Sequence, residues 1–118
     1  MKSLASPAQT KVISLSGQIN ASNAPQFRDQ LHQAFIVSGP VELVLDMSQV
    51  EFLDSAGLMV LVNALSTAQK KESKLILCCI PASVQIILEL TQLNRVFTIL
   101  ESSPMDVHTS IESIAIAA

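Results

Sequence analysis

Apolar residues along this chain follow two alternating patterns. Short aliphatic runs predict β-strands, and they cover residues 12–17, 41–47, 75–80 and 96–100. In the second run, one face carries Val41, Leu43, Leu45 and Met47. The third run is apolar on both faces, as expected for a central strand of a parallel sheet.

Between these runs, apolar residues recur at the three- and four-residue spacing of a helix. Phe27, Leu31, Ala34 and Phe35 form one such set, which follows the cap residues of 20–23 and Pro25. Residues 55–71 and 83–93 predict two further helices. A last helix is predicted to begin at Pro104 and to carry four apolar positions, namely Val107, Ile111, Ile114 and Ala115.

Strands that alternate with helices at this spacing predict an α/β fold. We expect a single small domain over residues 1–118, with a mixed, mostly parallel sheet of about four to five strands and about four helices. Residues 1–10 are polar and are expected to form a short edge strand or to be disordered.

Composition narrows the possible functions. Only 14% of the residues are charged against 49% apolar, and the net charge is −3. The chain therefore offers no basic surface for a nucleic acid, and it has no Trp or Tyr for base stacking. Its apolar runs are far shorter than the roughly 20 residues of a membrane-spanning helix, so no membrane insertion is expected. Residues 1–10 lack a secretory signal, which predicts a cytoplasmic protein.

Sequence motifs for catalysis are missing. The three glycines are too far apart to form a phosphate-binding loop. His32 and His108 have no acid or cysteine partner at a recognisable spacing. Cys78 and Cys79 would point to opposite faces of a strand, and no His or Asp lies at ligand spacing from them. We therefore expect no catalytic residues, no metal site and no cofactor.

The segment over residues 44–58 combines a strand, a short loop and the start of a helix. Asp54 is placed to cap that helix, and the Ser55 hydroxyl in its first turn can reach solvent. On a helical wheel the core face comprises Leu58, Leu61, Leu65 and Ala68. A separate stripe comprises Ser55, Met59, Val62 and Ser66. This stripe is either a docking surface beside a reactive hydroxyl or a face that packs under a neighbouring helix.

Three segments resemble the STAS domain family, in particular the bacterial anti-sigma factor antagonists. They are residues 13–20, residues 45–58 with Asp54-Ser55-Ala56-Gly57, and residues 75–84 followed by 90–93. The resemblance extends from about Lys11 to the C-terminus and implies a binding protein that is not an enzyme. One departure is Asn20, where these antagonists often carry an acid.

The resemblance implies a phosphorylation switch at Ser55. An anti-sigma factor that is also a serine kinase would bind the unphosphorylated chain and phosphorylate Ser55, and a PP2C-type phosphatase would reverse the modification. The implied partner-binding residues are Asn20, Asp54, Ser55, Ala56, Gly57, Met59 and Val62. The chain is expected to be a monomer or a weak homodimer. Because phosphate is tolerated at a helix N-terminus, we expect a change in binding with little change in fold.

Two other functions compete with this interpretation. The chain could be a STAS scaffold or accessory subunit of another signalling complex or of a lipid-transport ATPase, without a phosphorylation switch. It could also be a hydrolase with Ser55 as nucleophile, although Leu53 stands where a nucleophile elbow has glycine.

Overall fold

The computed structural model describes residues 9–100 and the backbone of a strand at 112–116. Eight helices and strands follow one another along the chain: β1 (Gln9–Ile19), α1 (Ala24–Ala34), β2 (Val41–Leu53), α2 (Ser55–Lys70), β3 (Lys74–Cys78), α3 (Ala82–Leu90), β4 (Thr98–Leu100) and β5 (Glu112–Ile116). A short 3-10 turn, Leu93–Arg95, links α3 to β4.

The five strands form one sheet in the order β4-β3-β2-β1-β5. All four pairings between the described strands are parallel. The predicted α/β class is therefore confirmed, with three α-helices in the described residues where about four were expected. The predicted sheet was mixed and mostly parallel, and all the strand pairings described are parallel.

The prediction of a helix near the C-terminus is wrong where the structure tests it. Ile114 and Ala115 lie in β5, which pairs with β1 through contacts such as Ile13 with Ile114. Alternation in the segment Glu-Ser-Ile-Ala-Ile fits a strand, and pairing with β1 satisfies its backbone groups. Pro104, Val107 and Ile111 lie outside the described residues.

Strand β1 is a central strand rather than an edge strand. Gln9 and Thr10, which were expected in a short edge strand or a disordered segment, belong to it, and residues 1–8 lie outside the described part of the chain. The strand pairs with β2 on one side and β5 on the other. Lys11, only 8% exposed, extends from β1 and donates from Nζ to the Ala34 carbonyl at the end of α1, over 3.1 Å.

Strand β2 also runs further than the sequence suggested. The predicted strand ends at Met47, whereas β2 continues through Ser48 and Gln49 to Leu53. The register with β1 shifts between Ser14 and Ser16, so the extra length is accommodated by an irregularity in the ladder. Because of this extension, β2 ends at Leu53, two residues before the first residue of α2.

The three helices cover one face of the sheet. Alternate strand residues such as Leu43, Leu45 and Leu77 pack there with helix residues such as Phe27 and Leu61 in the main core. A smaller buried cluster on the opposite face comprises Val12, Val44, Ile76 and Cys78. The two clusters confirm that β3 is apolar on both faces.

Candidate functional site

The candidate site lies where two neighbouring parallel strands end. Because parallel strands share a carboxyl edge, the turn after β1 and the turn after β2 meet. The Asp54 backbone N–H donates to the Ile19 carbonyl over 3.2 Å, which ties the two strand ends together. Asn20 follows Ile19 directly and Ser55 follows Asp54, so the sheet brings both segments of the predicted site to one edge.

Asp54 is the N-cap of α2, as predicted. Its backbone is extended, and its Oδ1 accepts a hydrogen bond from the Gly57 N–H at 3.0 Å. Its carbonyl accepts from the Leu58 N–H at 2.9 Å. Ser55 is the first helical residue, and its side chain is exposed. The serine hydroxyl therefore stands at the positive end of a 16-residue helix.

Gly57 belongs to the packing beneath this surface. It is buried, and a Cβ built on it would lie 2.6 Å from the Ile19 carbonyl oxygen and 2.9 Å from the Leu53 Cβ. Only glycine lets the first turn of α2 approach the ends of β1 and β2 this closely. Gly57 thus shapes the turn that presents Ser55, and its part in partner binding stays a prediction.

Asn20 organises the turn between β1 and α1. Its Oδ1 accepts hydrogen bonds from the Ser22 N–H at 3.0 Å and the Ser22 hydroxyl at 2.7 Å. Its own N–H donates to Asn23 Oδ1 over 2.9 Å, and Asn23 Nδ2 donates to the Gln18 carbonyl over 2.8 Å. Asn23 is the N-cap residue of α1 but makes no side-chain cap bond, because its side chain holds this turn instead.

The predicted stripe on α2 divides into exposed and packed residues. Met59 is 52% exposed. Val62 is half-buried and packs against the main core. Both alternatives for the stripe therefore apply, each to a different residue.

The core face of α2 also differs from the helical-wheel prediction. Leu61 and Ala68 are buried as expected, whereas Leu58 and Leu65 are only half-buried at the edge of the core. Buried positions that the wheel missed are Gly57, Val60 and Ala64. Small residues allow α2 to lie close to its neighbours, and the leucines then flank the contact.

Two surface features at this edge escaped the sequence prediction. Phe52 is 49% exposed, two residues before Asp54, and its position next to the inward-pointing Leu53 is the signal that could have found it. A groove of about 320 Å³ runs between α1 and α2. Its lining comprises Ala21, Ala24, Pro25, Arg28, Ala56, Met59, Val60 and Asn63. The groove joins the Asn20 turn to the Ser55 helix.

The described histidine, His32, lies on α1, away from the start of α2. His32 lines a second groove with Ser66 and Lys70, and Ser66 lies about 16 Å along α2 from Ser55 at the usual helical rise. No histidine among residues 9–100 is thus placed to activate the Ser55 hydroxyl. Within the same described residues, no helix is long and apolar enough to cross a membrane.

The cysteine geometry differs from the prediction. Cys78 ends β3, but Cys79 leaves the strand with a φ of +58°, so the two side chains do not take opposite faces. A carboxylate oxygen of Asp46 and the two sulfur atoms lie within 4.8 Å of one another. The sequence could not show this, because Asp46 is brought there by strand pairing.

Comparison with known proteins agrees with this fold. The STAS domain family model matches residues 3–110, and the chain belongs to that family. The anti-sigma-B factor antagonist of Listeria monocytogenes is 29% identical over 87 residues, which cover 74% of this chain and 75% of that protein. A candidate anti-sigma factor antagonist of Bordetella bronchiseptica, BtrV, is 27% identical over 88 residues, covering 75% of each chain.

Solved structures share the architecture. A candidate anti-sigma factor antagonist from Thermotoga maritima superposes with a TM-score of 0.68 at 27% identity, over 77% of this chain and 78% of that one. The anti-sigma factor antagonist SpoIIAA in its unphosphorylated form gives a TM-score of 0.64 at 14% identity, over 86% of this chain and 87% of that one. The second likeness concerns the fold alone.

Proposed function

We propose that this chain is an anti-sigma factor antagonist whose binding to an anti-sigma factor is switched by phosphorylation of Ser55. Its membership of the STAS family and the relatives named as antagonists, at 27% and 29% identity, support the general function. The single observation that carries the switch is the exposed Ser55 hydroxyl at the N-terminus of a helix capped by Asp54.

The surroundings of Ser55 suit a switch in binding rather than in folding. A phosphoserine adds about −1.5 to −2 charges at pH 7, and the N-terminal end of a helix favours an anion. The free protein therefore tolerates the phosphate. In a complex, the same charge would be desolvated beside the Asp54 carboxylate and the exposed apolar side chains of Met59 and Phe52. Phosphorylation then weakens docking while the fold persists.

The proposed partners follow from this cycle. An anti-sigma factor with serine kinase activity binds the unphosphorylated surface and modifies Ser55, and a PP2C-type phosphatase restores it. The chain itself acts by binding and not by catalysis, in the cytoplasm. The proposed contact residues are Asn20, Asp54, Ser55, Ala56, Gly57, Met59 and Val62. The exposure of Phe52 and the groove between α1 and α2 support including them in the same surface.

Incubation with the anti-sigma factor kinase and ATP tests the modification. Intact-mass measurement and site mapping are expected to show one phosphate on Ser55 in the wild type and none in Ser55→Ala. A phosphate that maps only to another residue would contradict the proposal, as would continued modification of Ser55→Ala with the same stoichiometry.

Binding to the same anti-sigma factor tests the switch. Ser55→Asp is expected to weaken affinity at least tenfold and to leave the circular dichroism spectrum unchanged. The matched control is Ser38→Asp, because Ser38 is also exposed but lies before β2 at the opposite edge of the sheet. Equal binding by wild type, Ser55→Asp and Ser38→Asp would overturn the proposed switch. Binding by all three to a transporter subunit instead would favour the scaffold function.

A further inference from the structure

The cluster of Asp46, Cys78 and Cys79 is built by the pairing of β2 with β3. Asp46 and Cys78 are register partners on these strands, so their side chains lie next to each other on one face. Cys79 turns out of the strand with a positive φ, which brings its sulfur back towards the same face. One carboxylate oxygen and two sulfur atoms therefore lie within 4.8 Å of one another.

We propose that Asp46, Cys78 and Cys79 form a binding site for a thiophilic divalent cation of the Zn²⁺ type. Thiolate and carboxylate are common zinc ligands, at about 2.3 Å and 2.0–2.2 Å from the ion. In tetrahedral geometry these bond lengths place the two sulfurs and the oxygen roughly 3.5–3.8 Å from one another. The present spacing of the three atoms, 4.8 Å at most, exceeds this separation by no more than about 1.3 Å. The fourth position is left for water or another ligand.

Binding of the ion requires that the two cysteine thiols release their protons. Burial, followed by the neighbouring Cys79 and then by Asp46, raises the pKa of the Cys78 thiol to about 12, so the group holds its proton at neutral pH. When a divalent ion binds, both thiols become thiolates, two protons pass to solvent, and the charge of the ion offsets the repulsion among the three anionic ligands that result.

The surroundings of the cluster support a site that an ion can reach. Asp46 Oδ1 accepts a hydrogen bond from the Ser48 N–H at 3.0 Å, which orients the carboxylate as hydrogen bonds to ligating groups do in metal sites. Asp46 and Cys79 are half-buried. A cavity of about 300 Å³ lies beside Cys79, lined by Cys79, Ile80, Gln85, Ile99 and Leu100.

The cluster is separate from the Ser55 surface. Cys78 packs with Val44 and Ile76 on the face of the sheet opposite the helices, whereas α2 covers the other face. Metal binding and partner binding can therefore be tested independently, and failure of either leaves the other standing.

Zinc titration of the tag-free 118-residue chain tests the proposal. The reduced, chelator-stripped protein is titrated with Zn²⁺ against a chromophoric indicator, and Co²⁺ is used to detect thiolate-to-metal charge transfer. The wild type is expected to bind one ion, to release about two protons and to show the charge-transfer band. Cys79→Ser and Asp46→Asn are each expected to weaken Zn²⁺ binding at least tenfold. The exposed Asp29→Asn is the matched control and is expected to bind as the wild type does.

Cys78→Ser changes a fully buried residue and can unfold the chain. The test of the proposal therefore uses Cys79→Ser and Asp46→Asn, and circular dichroism checks that both variants fold. The proposal is overturned if the wild type binds no Zn²⁺. It is also overturned if both folded variants bind Zn²⁺ as tightly as the wild type, since the ion would then be held elsewhere.

Discussion

The Asp54 carboxylate accepts a hydrogen bond from the Gly57 N–H at 3.0 Å, across the first turn of α2. The two residues have complementary parts in presenting Ser55. Asp54 satisfies a backbone donor that the helix leaves unpaired, and Gly57 lets the turn approach the Ile19 carbonyl. The exposed serine thus stands on a turn whose backbone is fixed on both sides.

Replacement of Gly57 by alanine is expected to destabilise the fold. Alanine gains about 1 kcal/mol in helix propensity, but its Cβ would lie 2.6 Å from the Ile19 carbonyl oxygen, which is backbone and cannot rotate away. Overpacking of this kind costs about 1–3 kcal/mol, so a net loss is expected. Urea unfolding measures it, with the exposed Asn63→Ala on the same helix as control. A Gly57→Ala variant as stable as the wild type would show that the turn can move.

Two substitutions of Asp54 are expected to distinguish the stabilising effect of its cap hydrogen bond from that of its negative charge. Asp54→Ala loses the bond to the Gly57 N–H and should lower the free energy of unfolding by about 0.5–2 kcal/mol. Asp54→Asn keeps an acceptor and should retain most of that stability. The exposed Asp29→Ala serves as the control in thermal unfolding. Equal losses in Asp54→Ala and Asp54→Asn would mean that charge, rather than the cap bond, stabilises the turn.

Met59 is expected to matter for binding and not for stability. The side chain is 52% exposed, so Met59→Ala should change the free energy of unfolding by no more than about 0.5 kcal/mol. As an apolar contact in the proposed interface, it should weaken anti-sigma factor binding at least about fivefold. Ile36→Ala is the matched control, because Ile36 is 54% exposed but follows α1 at the other edge of the sheet. Isothermal titration calorimetry measures the affinity for the anti-sigma factor. Equal affinities of Met59→Ala and Ile36→Ala would show that Met59 is not part of the interface.

The buried Lys11 is expected to stabilise the end of α1. Its Nζ donates to the Ala34 carbonyl over 3.1 Å, where the helix carries partial negative charge. Lys11→Met keeps most of the apolar stem but leaves that carbonyl without this donor, so a loss of about 1–3 kcal/mol is expected. Lys74→Met, at the exposed start of β3, is the control in urea unfolding. A Lys11→Met variant as stable as the wild type would show that water takes over the hydrogen bond to the Ala34 carbonyl.

Stability of the metal-free protein is expected to fall at alkaline pH because of Cys78. Burial raises the pKa of its thiol from 9.0 to about 12 in the folded state. The unfolded chain therefore loses this proton first, and the stability present below pH 9 declines between pH 9 and pH 12, by up to about 1.4 kcal/mol per pH unit. Cys78→Ala should show a shallower decline in unfolding experiments with a chelator present. An identical slope in both proteins would contradict the assignment to Cys78.

Periodicity located most elements because local burial decides them. Alternation in 41–47 reflects a strand with one face on the main core, and the set from Phe27 to Phe35 reflects one buried helix face. Periodicity misplaced the C-terminal segment, since five alternating residues cannot specify a strand until β1 supplies a partner. On α2, the wheel favoured the large leucines, whereas the helix packing brought Val60 and Ala64 inside.

By itself, the sequence determined the α/β class, the Asp54 cap and the exposed Ser55 at the start of a helix, because each depends on neighbours within a few residues. The tertiary structure alone decided which apolar side chains near Ser55 reach the surface, with Met59 exposed and Val62 packed. It also decided the meeting of Asp46 with Cys78 and Cys79. Such contacts depend on strand register and helix placement, which bring together residues that are distant in the chain. The spacing of apolar residues within one segment therefore does not reveal them.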